Sequence, residues 1–310
     1  MKIAVIDMGT NTFNLLIAEN DNTAPFKILH SSKIAVKLAK GSYDKKELRT
    51  DAFTRGLNAI EKFSQIIKDS EVSLVYACAT AAIRNSKNGV QFVKSVKDRF
   101  NIDVSVIEGN REAELIYKGV RQTVDLNNHK FIIIDIGGGS IEFIIADQQQ
   151  VFWKKSYPIG IAYLLEKFKP SDPLSIEEIE IITNFFEEKL VEVFEEVRNY
   201  EINTLVGSSG AFESFAAMIK NEEKFESEVA MHPASFPIDL MDFDDLSWKL
   251  VTSTLKERKK MKGLENMRIE LIVLAALFVK FFLDKTKIKT LIQSNFSLKE
   301  GLMHELCLPA

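Results

Sequence analysis

The sequence predicts an α/β protein whose two domains face each other across a cleft. The chain has 310 residues and is 46% hydrophobic and 27% charged, which is enough material for two soluble globular cores. The segment KIAVIDMGTNTFNLLIAEN at 2–20 recurs in register, without a gap, as KFIIIDIGGGSIEFIIADQ at 130–148. Three other segments run from a strand-like stretch through a loop of small residues into a helical pattern, at 73–89, 202–217 and 288–301.

The composition excludes several classes of protein. The formal net charge of −4 gives no sign of a nucleic-acid binder. Cys78 and Cys307 are too few for a disulfide framework or a cysteine-rich zinc site, so we expect a reducing, cytoplasmic setting. The most apolar run, 271–283, contains Lys280 and is shorter than the roughly 20 residues of a spanning helix. We therefore expect a buried core helix there and no association with a membrane.

Each copy of the repeat has the pattern of a β-hairpin, in which an Asp-x-Gly turn joins two strands. Glycine lets the backbone approach a ligand closely, and successive amide N–H groups in a turn bind anions. Asp7 and Asp135 precede the turns and are candidates to orient a hydrated magnesium ion that also takes phosphate ligands. An ordinary hairpin turn is the alternative for either copy alone. The candidate phosphate-binding residues of the two turns are Thr10, Asn11, Thr12, Gly137, Gly138, Gly139 and Ser140.

Two of the strand-loop-helix segments supply further candidate phosphate ligands. In the segment at 73–89, Arg84 lies in the first turn of a helix, where free N–H groups and the helix dipole favour anions. An arginine on a solvated first turn is the alternative. In the segment at 202–217 the turn contains Gly207, Ser208 and Ser209.

Two glutamates are candidates for a catalytic base. Glu112 clusters with Glu108 and Glu114 at the start of a predicted helix, and stabilisation of the helix dipole is the alternative explanation for this cluster. Glu142 lies in the second copy of the repeat where the first copy has Asn14. A base for the attack of water on phosphate must be ionised, positioned and partly desolvated.

The segments outside these motifs have the patterns of helices and of the connections between them. Apolar residues at helical spacing predict a helix over 51–70 and a long amphipathic helix over 175–200. The segment 122–129 is a polar link, and 220–239 has the composition of an irregular connection. His232 within that connection is expected to be a loop residue and not a metal ligand.

Taken together, these residues resemble the exopolyphosphatase and guanosine pentaphosphate phosphohydrolase family. The length is similar to that of short members, which lack the additional C-terminal helical domains of longer ones. The motifs that carry the resemblance, in the family's order, are DMGTNTFNLLI, ATAAIRNSKNG, IEGNREAELIYKGV, DIGGGSIEF, SYPIGIAYLLEKF, VGSSGAFES and SNFSLKEG.

The resemblance implies two actin-like, ribonuclease H-like domains around a central cleft. The superfamily with this fold also holds actin, heat-shock ATPases, and sugar and acetate kinases. We expect the first domain to cover 1–121 together with a C-terminal segment of about 300–310, and the second to cover 122–299. A homodimer is a further implication of the resemblance.

The resemblance also assigns roles to residues. It implies hydrolysis of the terminal phosphate of a phosphoanhydride chain with magnesium or another divalent cation. Glu112 matches the family's catalytic glutamate, which orients and deprotonates the attacking water. The resemblance implies that Asp135, Glu142 and Asp7 hold the magnesium ion. The residues that it implies for the terminal phosphates are Gly137, Gly138, Gly139, Ser140, Thr12 and Arg84.

Four positions depart from the family's pattern, and at one of them, near Tyr163 after PIGI, the Arg that relatives often carry is missing. Arg111 replaces the first Glu of the family's Glu-Glu-Ala stretch, and Lys37 replaces a frequent Arg. Both residues are expected to place a cation near a polyanion. Asn295 replaces the Asp of the usual Ser-Asp pair in the C-terminal motif.

Several functions agree with this resemblance. Hydrolysis of inorganic polyphosphate from its chain ends is the first hypothesis. Removal of the 5′-phosphate of guanosine pentaphosphate, a nucleotide of the stringent response, is the closest alternative. An ATP-dependent kinase of the same superfamily would need an adenosine pocket near VGSSGAFES. A nucleotide-binding regulator that has lost catalysis is the fourth hypothesis, and the retention of Glu112 argues against it.

Overall fold

The fold consists of two β-sheets with helices on their faces. The sheets have the strand orders β3-β2-β1-β4-β5 and β10-β11-β9-β6-β7-β8. The computed structural model describes residues 1–20, 26–42, 45–126, 129–220 and 234–308. The strands are β1 (Lys2–Met8), β2 (Thr12–Glu19), β3 (Lys27–Ala35), β4 (Leu74–Ala79), β5 (Val104–Val106), β6 (Phe131–Ile136), β7 (Ile141–Ala146), β8 (Val151–Tyr157), β9 (Thr204–Ser208), β10 (Ser235–Ile238) and β11 (Thr290–Ser294).

The helices cover the faces of the two sheets. The α-helices are α1 (Thr50–Asp69), α2 (Ala81–Arg84), α3 (Gly89–Phe100), α4 (Gly109–Val120), α5 (Ile161–Phe168), α6 (Ile176–Lys189), α7 (Val191–Asn199), α8 (Ser209–Ile219), α9 (Leu240–Thr252), α10 (Leu255–Arg258), α11 (Ile272–Lys285) and α12 (Leu298–Cys307). One 3₁₀ turn, Asn266–Arg268, precedes α11. Within the described residues no helix is both long and apolar enough to cross a membrane.

The predicted repeat forms two hairpins with the same backbone path. β1 pairs antiparallel with β2, and β6 pairs antiparallel with β7. In the first turn the Gly9 N–H donates to the Thr12 carbonyl oxygen at 3.1 Å, and in the second the Gly137 N–H donates to the Ser140 carbonyl oxygen at 3.0 Å. A β-carbon on either glycine would lie 2.8 Å from that carbonyl oxygen, so each turn requires glycine. The hairpin prediction is confirmed.

The predicted helices are present with one difference. The helix over 51–70 corresponds to α1, and the apolar run at 271–283 forms α11 in the core. The single helix predicted over 175–200 is wrong, because the chain leaves helical geometry at Leu190 (φ −108°, ψ 15°) and forms α6 and α7. The apolar periodicity continues across the break because both helices pack against the same core.

The predicted irregular connection at 220–239 is only partly described. Residues 221–233, including His232, lie outside the described residues. Ser235–Ile238 forms β10, an edge strand antiparallel to β11, so the prediction is wrong for these four residues. β10 contains Pro237, which an edge strand tolerates.

Two helices lie between the sheets and position the site. α4 packs against β6, β7 and β9 of the second sheet, and α12 packs on β1 and β2 of the first. The two helices touch backbone to backbone, because a β-carbon on Gly301 of α12 would lie 1.7 Å from the Leu115 carbonyl oxygen of α4. The first turns of α4 and α12 thereby reach the cleft. The domain boundaries at 121 and about 300 stay a prediction.

Candidate active site

A cavity of about 1510 Å³ lies between the two sheets, and both glycine turns line it. The turns face each other at close range. A β-carbon on Gly138 would lie 3.1 Å from Thr10 Cβ and 3.3 Å from Asn11 Cβ. Of the predicted site residues, those that line the cavity are Asp7, Thr10, Asn11, Thr12, Glu112, Asp135, Gly137, Gly138, Gly139, Ser140 and Ser209.

Glu112 lies in the first turn of α4 and is held by Arg84 from the end of α2. Arg84 Nη1 donates to Glu112 Oε2 at 3.2 Å and to the Ile107 carbonyl oxygen at 2.7 Å. The two side chains are only 14% and 10% exposed, so Arg84 does not lie on a solvated first turn. Burial and the neighbouring Glu142 raise the pKa of Glu112 well above its ordinary value, against the opposing effect of Arg84.

Glu142 lies behind the lining of the cavity, opposite Asp135 in the β6–β7 register. It is 1% exposed, and Ser156 Oγ donates to its Oε1 at 2.7 Å. Burial, reinforced by the charge of Asp135, raises the pKa of Glu142 to about 7. Glu142 therefore takes up and releases its proton near neutral pH.

The two aspartates that precede the turns are buried and held by neighbours. Asn14 Nδ2 donates to Asp7 Oδ2 at 2.8 Å, and burial raises the pKa of Asp7 to about 6. Asp135 Oδ2 accepts from Ser208 Oγ at 2.9 Å and from Ser297 Oγ at 2.6 Å. Burial raises the pKa of Asp135 as well.

Three predicted phosphate ligands, Arg84, Gly207 and Ser208, do not line the cavity, and Arg84 instead holds Glu112. The space beside Gly207 in β9 is filled by Phe212, because a β-carbon there would lie 2.1 Å from the ring. Ser208 is fully buried and its hydroxyl is directed at Asp135. Gly207 therefore serves packing, and Ser208 orients an aspartate. The strand-loop-helix pattern located this turn correctly but could not show which of its residues point inward.

The predicted three-carboxylate metal site is also revised. Within the part of the chain that the structure describes, no three acidic, histidine or cysteine side chains gather into a ready-made metal cage, so Asp7, Asp135 and Glu142 do not form one ligand set. Burial nevertheless raises the pKa of each of them, and of Glu112. Magnesium commonly takes one or two carboxylates together with waters and substrate phosphates, and a bound cation would offset this concentration of carboxylates. The residues present fit such a cation.

Sequence reasoning missed four cations that line the cavity among the described residues, Lys33, Lys262, Lys299 and Arg268. Lys299, from the first turn of α12, lines the cavity and its Nζ lies 2.7 Å from Glu300 Oε1. Burial lowers the pKa of Lys299, but the carboxylates of Glu300 and Glu213 outweigh burial and hold it above its ordinary value. Arg268 packs on the start of α8, where a β-carbon on Gly210 would overlap its guanidinium at 1.4 Å. Lys299 stands in the SNFSLKEG motif, so the strand-loop-helix signal could have found it; Arg268 carried no such signal.

The departures from the family's pattern lie in different surroundings. Arg111 does not line the cavity, so its expected place near a polyanion is wrong. It forms ion pairs with Glu305 of α12 and, at 3.4 Å, with Glu114 of its own helix. Asn295 does line the cavity, whereas Lys37 does not and pairs with Glu270 at 2.9 Å.

The comparison with protein families decides what kind of protein carries this site. The sequence profile of the Ppx/GppA phosphatase family matches residues 16–309. The chain belongs to the Ppx/GppA phosphatase family. It is accordingly a phosphoanhydride hydrolase with the two-domain, actin-like α/β fold, and the predicted family and fold are confirmed.

Solved structures and a curated relative agree with this assignment. An exopolyphosphatase from Cytophaga hutchinsonii is 35% identical in sequence to this chain. Its crystal structure matches with a TM-score of 0.94 over 99% of this chain and 98% of that one. The Aquifex aeolicus member of the Ppx/GppA family has the same fold, at 24% identity and a TM-score of 0.79 over 99% of this chain and 97% of that one. A guanosine-5′-triphosphate,3′-diphosphate pyrophosphatase from Photobacterium profundum is 29% identical over 68% of this chain, but the match spans only 42% of that relative.

Proposed function

We propose that this Ppx/GppA phosphatase is an exopolyphosphatase that removes the terminal phosphate of inorganic polyphosphate with a water activated by Glu112. The observation that carries the proposal is the position of Glu112. Its buried carboxylate accepts a hydrogen bond from Arg84 and lies on the wall of the cavity that the two glycine turns also line. Burial raises the pKa of Glu112 well above its ordinary value, which makes the ionised carboxylate a stronger proton acceptor and supports the role of base.

In this mechanism the chain's own residues mainly position the substrate and the water. The amide groups of Gly137–Ser140 and the hydroxyl-bearing turn at Thr10 and Thr12 hold the terminal phosphate from two sides. Glu112 accepts the proton of the attacking water, and Arg84 keeps its carboxylate in place. Most of the rate enhancement of phosphoryl transfer comes from this kind of positioning together with charge neutralisation.

The same mechanism calls for magnesium or another divalent cation. When bound, the cation neutralises negative charge on the phosphates and on the carboxylates around them. Asp7 and Asp135, which line the cavity, are the side chains available to hold it or its waters. Their raised pKa values support this proposal, because burial has left their charges without full compensation.

Guanosine pentaphosphate is the second candidate substrate. The curated relative from Photobacterium profundum is named for that class of nucleotide. The 5′ end of guanosine pentaphosphate is a short polyphosphate, so the same two turns and the same glutamate would serve both substrates.

The two non-hydrolytic hypotheses are less well supported. A kinase would hold adenosine near the start of α8, but the guanidinium of Arg268 fills the space beside Gly210 there. A regulator without catalysis would have no need for the contact between Arg84 and Glu112.

Phosphate release by the purified protein tests the proposal. Long-chain polyphosphate, guanosine pentaphosphate and ATP are compared, each with magnesium and with EDTA. We expect metal-dependent release that is fastest from polyphosphate. Faster release from guanosine pentaphosphate would favour the second substrate, and binding without release from any of the three would favour the regulator.

A further inference from the structure

The outer rim of the cleft joins two surfaces of opposite charge. We use the name basic rim for Lys33 of β3 and Lys37, just beyond the end of β3. On the facing side Glu213, Glu265 and Glu270 form the acidic rim. The basic rim lies on the domain of the first sheet. The acidic rim lies on the domain of the second sheet, with Glu213 in α8 and with Glu265 and Glu270 in the segment before α11.

Ion pairs close this rim at two places. Lys33 Nζ lies 2.6 Å from Glu265 Oε1 and 3.4 Å from Glu213 Oε2. Lys37 Nζ lies 2.9 Å from Glu270 Oε2, and this bond is the main reason why the pKa of Glu270 is lowered. Each pair therefore connects one domain to the other across the cleft.

The part of the rim around Lys33 is continuous with the phosphate turns, whereas Lys37 and Glu270 are not among the residues that line the cavity. Lys33, Glu213 and Glu265 line the same cavity as the turns at Thr10 and Gly138. A chain of phosphates that begins at the turns and leaves the cavity on this side meets the basic rim. The acidic rim repels the same chain, and it also occupies the two lysines that would attract the chain.

These ion pairs are weak enough to exchange. The side chains of Lys33 and Lys37 are 34% and 33% exposed, and partly exposed pairs contribute little net stability because water and salt screen them. When a chain of phosphates binds, Lys37 exchanges one carboxylate, and Lys33 two carboxylates, for several phosphate groups.

We propose that the basic rim is a distal phosphate subsite that substrate opens by displacing the acidic rim from Lys33 and Lys37. This inference rests on the proposed function, because it concerns the same polyphosphate substrate. Only chains long enough to extend from the glycine turns to the rim can replace the carboxylates at Lys33 and Lys37 and bind more tightly as a result. The rim therefore makes the enzyme select longer chains over short ones, and the acidic rim sets how strong that selection is.

The test compares long-chain polyphosphate with tripolyphosphate on variants of both rims. The variants are Lys33→Met, Glu265→Gln and Glu270→Gln. Lys97→Met and Asp103→Asn are matched controls, since Lys97 and Asp103 form an exposed pair of similar length, 2.8 Å, on the first domain outside the cavity. For each variant the ratio of KM for the long chain to KM for tripolyphosphate is measured, and thermal unfolding checks that the variant is folded.

We expect Lys33→Met to raise this ratio by about threefold to tenfold, and each glutamine variant to lower it by about threefold, from the usual size of charge-pair effects. The controls leave the ratio as in the wild type. High salt reduces the difference between wild type and Lys33→Met. Equal ratios in Lys33→Met and Lys97→Met would overturn the distal subsite.

The same comparison separates this inference from the proposed function. If the wild type releases no phosphate, the ratio of Kd values is measured by calorimetry with magnesium present. Binding whose ratio changes with Lys33→Met supports the subsite even though the proposed hydrolysis fails. Binding with an unchanged ratio overturns the subsite alone, and absence of polyphosphate binding overturns both.

Discussion

Replacing Glu142 by glutamine removes a carboxylate that folding takes almost entirely out of water. The substitution keeps the size of the side chain and leaves an oxygen that can accept from Ser156 Oγ. The native state raises the pKa of Glu142 from 4.5 to about 7, chiefly through burial. Between pH 4.5 and about pH 7, Glu142 therefore keeps its proton in the native state, whereas it has lost that proton in the unfolded chain.

The sign and size of the effect follow from proton linkage. Because the native state binds more protons than the unfolded state, the free energy of unfolding of the wild type falls as the pH rises from 4.5 to about 7. A pKa difference of one corresponds to about 1.4 kcal/mol, so the full loss from this group is on the order of 3 kcal/mol. Between pH 5 and pH 8, Glu142→Gln should gain on the order of 2 kcal/mol relative to the wild type.

Urea denaturation of both proteins in EDTA at pH 5 and pH 8 measures this difference. EDTA is included because a bound cation would stabilise the ionised carboxylate and hide the effect. Glu195→Gln, on the exposed side of α7, is the matched control and should change little between the two pH values. If Glu142→Gln is no more stabilised at pH 8 than this control, the burial argument for the whole carboxylate cluster is wrong.

Two further substitutions test the turns and the arginine. Gly138→Val should raise KM by about tenfold or more with a smaller effect on kcat, because its β-carbon would lie 3.1 Å from Thr10 Cβ and force the turns apart; an unchanged KM would contradict the phosphate cradle. Arg84→Lys should lower kcat by about tenfold to a hundredfold, since lysine keeps the charge but its shorter side chain does not bring a donor to the place from which Arg84 Nη1 bonds both Ile107 and Glu112. Steady-state kinetics measure both, and wild-type kcat in Arg84→Lys would rule out the positioning role.

Local sequence patterns predicted the hairpins and most helices because their signals are short-range. The Asp-x-Gly turns with flanking β-branched runs define both hairpins from neighbouring residues alone. The break at Leu190 left no such signal, since α6 and α7 share one apolar core and the periodicity runs through it. β10 was missed because it is an edge strand that contains Pro237.

The site was predicted in position and only partly in detail. The repeat located the two turns, and the resemblance selected Glu112 from a cluster that helix stabilisation alone would explain. The surroundings of Gly207, Ser208 and Arg111 depend on which helix packs on which strand, and local sequence patterns do not show that packing. The role of Lys299 depends on α12 returning to the cleft from the end of the chain.

The most direct test of the central claim compares hydrolysis and binding in Glu112→Gln. The claim predicts that kcat for polyphosphate falls by about a thousandfold, because glutamine cannot accept the proton of the attacking water, while Kd with magnesium stays close to the wild-type value. Glu114→Gln, two positions along α4 and outside the cavity, is the matched control and should keep its activity. Phosphate release by Glu112→Gln within a few-fold of the wild type would contradict the assignment of Glu112 as the base.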